Sequence, residues 1–167
     1  METLINKIAL VSGSSQGIGK ETAKLFAERG ASVILLARNK KKLEQVLVEL
    51  PIVNEYQKHG VLVADFSNPS ELQKVIEGFV NQYDRAIHIL VNNTGGPSGG
   101  LIKDAKPEEF INTFQQHLIC NHILAQALIP AMIKEGFGRI INVISTSVKQ
   151  PLNGLGVSNT VRGAVAN

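Results

Sequence analysis

Short apolar runs alternate with amphipathic stretches along this chain. Residues 7–11 (KIALV) read as a first strand, and residues 12–19 as a turn rich in Gly and Ser. From residue 18 to 29, Ala23, Phe26 and Ala27 recur at helical spacing, and Gly30 supplies a stop. Residues 32–37 (SVILLA) form a second strand, followed by a charged helix from about residue 39 to 50 that Pro51 ends. A third strand falls on residues 61–64, and a third helix on 69–82 with Ser67 or Asn68 as its N-cap. Residues 87–91 (IHILV) make a fourth strand. A Gly-rich loop then runs over residues 92–106, and Pro107 suits the first turn of a long fourth helix. Residues 138–144 (GRIINVI) complete the set as a fifth strand.

Uninterrupted apolar runs fit strands covered on both faces. Their alternation with helices predicts an α/β fold: a doubly wound parallel sheet, in three αβα layers, with right-handed crossovers. A last helix-like stretch at residues 158–166 has no strand after it, which would leave one sheet edge thinly covered. The expectation is a C-terminally truncated fragment.

Composition narrows the picture modestly. The 167 residues are 44% hydrophobic and 19% charged, which excludes a disordered chain and suits one domain over residues 1–167. The lone Cys120 excludes an intrachain disulfide framework and reads as a core residue. The N-terminus lacks a basic flank and apolar run, and no stretch approaches the roughly 20 residues of a membrane span. A soluble, cytoplasmic protein without a membrane partner is expected. A net charge of +3 with 5% aromatics and no Trp argues against nucleic acid as a partner. His59, His88, His117 and His122 are scattered without metal-ligand spacing, so no metal site is expected.

Candidate chemistry starts at the first turn. Gly13, Ser15, Gln16, Gly17, Ile18 and Gly19 lie between a strand and a helix, where glycines admit close backbone approach and free helical N–H groups favour a pyrophosphate. The alternative is a flexible connection. The second strand ends in Ala37-Arg38, where an acid would hold a ribose hydroxyl in an NAD site. A guanidinium there suits a 2′-phosphate, so NADP(H) is expected over NAD(H). Lys40, Lys41 and Lys42 add positive field, or simply form a solvated helix face. After the third strand, Asp65-Phe66 offers a carboxylate for an adenine amino group, or a residue that closes its own loop. Asn92, Asn93, Thr94 and Gly95 follow the fourth strand, where amides can tie strands together and a glycine can admit a ribose. The sequon Asn92-Asn93-Thr94 is a chance match without a signal peptide.

SGSSQGIG, Asp65, NNTG and GRIINVIS, in that order and spacing, resemble the short-chain dehydrogenase/reductase family along essentially the whole chain. The resemblance is greatest to its 3-oxoacyl-acyl-carrier-protein reductase type, and the loop GGPSGG is similar to a divergent subgroup. It implies a Rossmann-type sheet, hydride transfer between NAD(P)(H) and a small carbonyl or alcohol substrate, and a homodimer or homotetramer. It also implies that further strands and a substrate lid follow residue 167. Ser145 matches the family's active-site serine. Ser158 stands where the family carries a tyrosine, Arg162 where it carries a lysine, and His117 where it carries an asparagine.

These departures alter the chemistry. A serine hydroxyl is a far weaker acid than a phenol, and Arg162 holds its charge without relaying a proton. His117 can replace the missing acid or base if it faces the site, or hold a structural hydrogen bond. Ser145 can donate to a substrate oxygen, or cap the turn after its strand. The expected function is an NADP(H)-dependent oxidoreductase with an atypical active site. The alternative is a catalytically silent NADP(H)-binding sensor or oligomer partner.

Overall fold

The computed structural model describes residues 3–167. Five parallel strands, β1 (Ile8–Ser12), β2 (Ser32–Ala37), β3 (Gly60–Val63), β4 (Ile89–Asn92) and β5 (Arg139–Asn142), form one sheet in the order β3-β2-β1-β4-β5. Between them run α1 (Gly17–Glu28), α2 (Lys40–Glu49), α3 (Pro69–Gln82), and α4 (Pro107–Phe114) continuing into α5 (Cys120–Lys134). A last helix, α6 (Gly156–Ala166), follows β5.

Alternate residues of the buried strands feed two cores. Ile8, Leu10, Ile34 and Leu36 pack with Leu72 and Ile76 of α3 and Leu124 and Leu128 of α5. Ala9, Val11, Val33 and Leu35 pack on the other face with Ala23 and Ala27 of α1 and Leu43 and Val46 of α2. Each fully buried Leu or Ile contributes about 1.5–3 kcal/mol relative to exposure, so β1 and β2 anchor the molecule. The doubly wound sheet read from the sequence is therefore present, with the strand order reversing between β1 and β4.

Local chemistry sets the helix ends. Asn39 Oδ1 accepts from the Lys42 amide at 3.0 Å, and Asn68 Oδ1 from the Glu71 amide at 3.2 Å. Asn68 rather than Ser67 is the cap of α3. Gly30, at φ +93°, turns the chain out of α1. Two histidines finish strand beginnings: His88 Nδ1 accepts from the Ile8 amide, and His59 Nδ1 from the Val33 amide, each at 3.1 Å.

Two features depart from the sequence reading. The long fourth helix carries a π turn at Gln115–Ile119, where one turn widens to hold an extra residue. The fifth strand is shorter than its apolar run; its four residues are exposed, in line with the thinly covered edge expected there. β5 ends the sheet, so it lacks a neighbour on one side among the described residues.

Candidate active site

The carboxyl ends of β1 to β4 open onto a cleft of about 510 Å³ at the point where strand order reverses. Doubly wound sheets take their ligands at such a switch point. Its walls bring together residues from four connections that are distant in sequence: Gly13, Ser15, Gln16, Gly17 and Ile18; Arg38; Asp65 and Phe66; Asn93, Thr94 and Gly95. Of the residues expected to hold a cofactor, Gly19 alone is absent from the wall.

Gly19 acts one layer behind. A Cβ there would lie 2.4 Å from the Gly13 carbonyl oxygen, so only glycine lets α1 start against the turn. Gly13 and Gly17 take φ of +60° and +57°, the left-handed region that favours glycine. Around Gly17 there is open space where a side chain would stand. No side chain caps α1, so its first-turn amides are free for an acceptor in the cleft.

The opposite wall is pinned by Ser12 and Asn93. Ser12 Oγ, fully buried, accepts from the Asn93 amide at 2.8 Å and lies 2.9 and 3.1 Å from the carbonyls of Asn93 and Val91. Asn93 Nδ2 donates to the Ser12 carbonyl at 3.2 Å. Asn92 Nδ2 donates to Asn142 Oδ1 at 2.8 Å, joining β4 to β5. The paired amides thus tie strands, as their position suggested.

Arg38 projects from the end of β2 with its side chain 78% exposed, and its Nη1 lies 4.0 Å from Asp65 Oδ2. So exposed a contact holds the guanidinium weakly. Lys42 Nζ donates to Gln16 Oε1 at 3.3 Å, which brings a second cation to the rim. Asp65 Oδ1 accepts from the Ser67 amide at 2.9 Å, so this carboxylate closes its own loop while its other oxygen faces Arg38. Phe66 is buried, and its carbonyl accepts from Cys120 Sγ at 3.4 Å. That buried thiol is pushed up to about 12, chiefly by desolvation.

Ala37, Ala64, Ser67, Gly96 and Gln116 also line the cleft. Ala37 ends β2 and Ala64 directly follows β3, so the rule that ligands meet strand ends could have found them. Gln116 comes from the π turn and carries no sequence signal.

The four remaining candidates stand on elements that touch one another but not within the wall of this cleft. α6 packs against α4, the π turn and the short 3₁₀ turn at Thr146–Val148. Ser145 Oγ accepts from the Ser147 amide at 3.1 Å and so caps that turn. Ser158, half-buried on α6, makes no side-chain hydrogen bond among the described residues. Arg162 is buried, and its Nη1 donates to the Val143 carbonyl at 2.9 Å. His117 is 1% exposed, with Nε2 lacking a partner among the described residues. Its pKa falls to about 4, first through desolvation and then through the charge of Arg162, against a backbone hydrogen bond with Gly95. It lines a separate cavity of about 290 Å³ with Asn92, Asn121, His122 and Asn142.

Known proteins resemble this chain in sequence and fold. The chain is similar to an uncharacterized oxidoreductase of Staphylococcus aureus strain USA300, 31% identical over 147 residues, covering 88% of this chain and 62% of that protein. It is also similar to the 3-oxoacyl-[acyl-carrier-protein] reductase of Haemophilus influenzae, 34% identical over 137 residues, covering 82% and 54% of the two chains. Among solved structures, the L-sorbose reductase of Gluconobacter frateurii, complexed with NADPH and L-sorbose, superposes with a TM-score of 0.88 at 29% identity, over 98% of this chain and 62% of that one. This chain therefore spans about 62% of the length of the first of these relatives. No helix among the described residues is long and apolar enough to cross a membrane. The short chain dehydrogenase profile matches residues 7–166, which include the glycine turn, the cleft and every candidate residue above, and the chain belongs to that family.

Proposed function

We propose that the cleft binds NADP(H) and that the protein is an oxidoreductase acting on a small carbonyl or alcohol substrate in the cytoplasm, as a homodimer or homotetramer. One observation carries this reading: four loops converge so that a glycine turn with free helical amides, an exposed guanidinium and the Asn93–Gly95 wall face the same space. The residues fit the cofactor. The open space at Gly17 and Gly95 gives backbone access, the α1 amides suit a pyrophosphate, and Arg38 suits a 2′-phosphate. Asp65 is left to orient the adenine edge through the oxygen not used by Ser67. The NADPH named with the sorbose reductase structure supports the same cofactor class.

When bound, the nicotinamide would exchange a hydride with the substrate carbon. Ser145 spends a lone pair on the Ser147 amide, which leaves its O–H to donate to a substrate oxygen. Arg162 keeps its proton and supplies positive field. His117, with its pKa near 4, is neutral at pH 7, with one ring N–H and one acceptor nitrogen, and does not serve as a cationic acid there. Ser158 offers only a weakly acidic hydroxyl.

That last pair of facts favours a second reading, a cofactor-binding protein with no turnover, which acts as a sensor or oligomer partner. The two readings separate on NADPH oxidation with a panel of small ketones. Wild-type turnover that rises in the Ser158→Tyr/Arg162→Lys double variant supports the enzyme. Cofactor binding without turnover in the wild type supports the silent protein.

A further inference from the structure

Arg162 is a buried cation without an anionic partner among the described residues. Its side chain is 9% exposed, and it takes no part in the ion pairs among the described residues. Burial lowers its pKa, and no acidic group opposes the shift. Charges removed from water are normally paired, because desolvation is otherwise uncompensated. Its neighbour His117 is neutral at pH 7 and supplies no negative charge.

The way the guanidinium is held shows which edge lacks a partner among the described residues. Nη1 donates to the Val143 carbonyl at 2.9 Å, the one hydrogen bond of this side chain among the described residues. Nε is buried with no acceptor. Nε–H and the neighbouring Nη2–H are parallel donors on one flat edge, a match for the two oxygens of a carboxylate. Nη2 lies 4.0 Å from where a Cβ on Gly96 would stand, and Gly96 borders the nucleotide cleft. A larger residue at 96 would crowd the approach that glycine leaves open. Ser147 Oγ, on the turn packed against α6, is a second buried donor without a partner among the described residues.

We propose that Arg162 is a specificity residue for a ligand bearing a carboxylate, which docks on its Nε/Nη2 edge beside Gly96. The substrate class is then a keto or hydroxy carboxylate. This rests on the reading of the cleft as a cofactor site only in calling the ligand a substrate. An ammonium offers a point charge, while the guanidinium edge recognises a planar anion.

Calorimetry with oxamate, a small planar carboxylate, and with oxamide, its neutral counterpart, tests this on the wild-type chain. Both titrations are run without cofactor and again with NADPH present. Saturable oxamate heat with none from oxamide is expected. Arg162→Met should weaken oxamate by about ten- to a hundredfold, the scale of charge-assisted hydrogen bonds, and Arg162→Lys by less. Equal binding of oxamate and oxamide, binding of neither, or full binding by a folded Arg162→Met variant would overturn the proposal. So would inorganic phosphate displacing oxamate with equal affinity, since that marks a general anion site. Loss of NADPH binding alone would count against the cofactor reading and leave the cofactor-free oxamate result to decide this one.

Discussion

Asn93 and Gly13 are in direct apposition: the Asn93 side-chain amide lies 3.4 Å from the Gly13 carbonyl, and a Cβ on Gly13 would fall 2.5 Å from the Asn93 carbonyl oxygen. The residues are 80 positions apart in sequence. Their contact locks the glycine turn after β1 to the loop after β4, and so fixes the spacing of the two cleft walls.

The three glycines of the turn should therefore fail differently. Gly13→Ala meets both the left-handed φ and the clash with Asn93, a loss of about 2–5 kcal/mol. Gly19→Ala meets no left-handed cost, only clashes with the Gly13 carbonyl and with Asn93 Nδ2, about 1–3 kcal/mol. Gly17→Ala has space and meets only the left-handed cost, about 1–2 kcal/mol, but puts a methyl group where the cofactor approaches. Urea unfolding of the three variants checks the order. Equal losses would contradict the packing roles assigned to Gly13 and Gly19.

Ser12→Ala removes the acceptor of the Asn93 amide in a fully buried setting. An amide left unsatisfied there costs about 1–3 kcal/mol. The same variant should bind NADPH less tightly, because the Asn93–Gly95 wall loses its anchor. Unchanged stability by urea titration would show that this wall is held by other contacts.

Acid should destabilise the fold in a defined window. His117, His88 and His59 all have pKa values lowered from 6.5, each chiefly by burial. A base with a depressed folded-state pKa contributes stability that is complete above about 6.5 and is lost as pH falls, for His117 down to about 4. Protonation of His88 and His59 at Nδ1 would also break their bonds to the Ile8 and Val33 amides. Urea midpoints measured from pH 8 to pH 4 should fall in the wild type and fall less in His117→Asn. The slope that remains belongs to the other two histidines. An identical slope in both proteins would contradict the neutral, buried state of His117.

Much of the fold was legible because its signals are local. Pro69 with Asn68 behind it marks the start of α3, and the run Ser32–Ala37 is the whole of β2. The cleft was legible for the same reason, since its residues follow strand ends in a fixed order. Three features were not. The apolar run at 138–144 reads as a seven-residue strand, yet only Arg139–Asn142 form β5. The π turn adds one residue to a helix without disturbing its apolar pattern, so the cleft position of Gln116 was hidden. That Arg162 lacks an anionic partner among the described residues is a fact about three-dimensional surroundings, and no spacing encodes it.

Arg38→Ala should distinguish the two nicotinamide dinucleotides. The guanidinium side chain is 78% exposed and its one ion pair among the described residues is with Asp65 at 4.0 Å, so its removal should disturb little packing. Loss of a charge-assisted pair to a 2′-phosphate is worth about 1.5–3 kcal/mol, or roughly ten- to a hundredfold in NADPH affinity. NADH affinity should change little. Equal losses for both cofactors would remove Arg38 from the phosphate site.

The central claim is that the 510 Å³ cleft is a site for NADP(H). Calorimetric titration of the chain with NADPH, beside NADH under the same conditions, tests it most directly. Saturable binding that favours NADPH is the predicted result. No binding of either dinucleotide, or tighter binding of NADH, would contradict it.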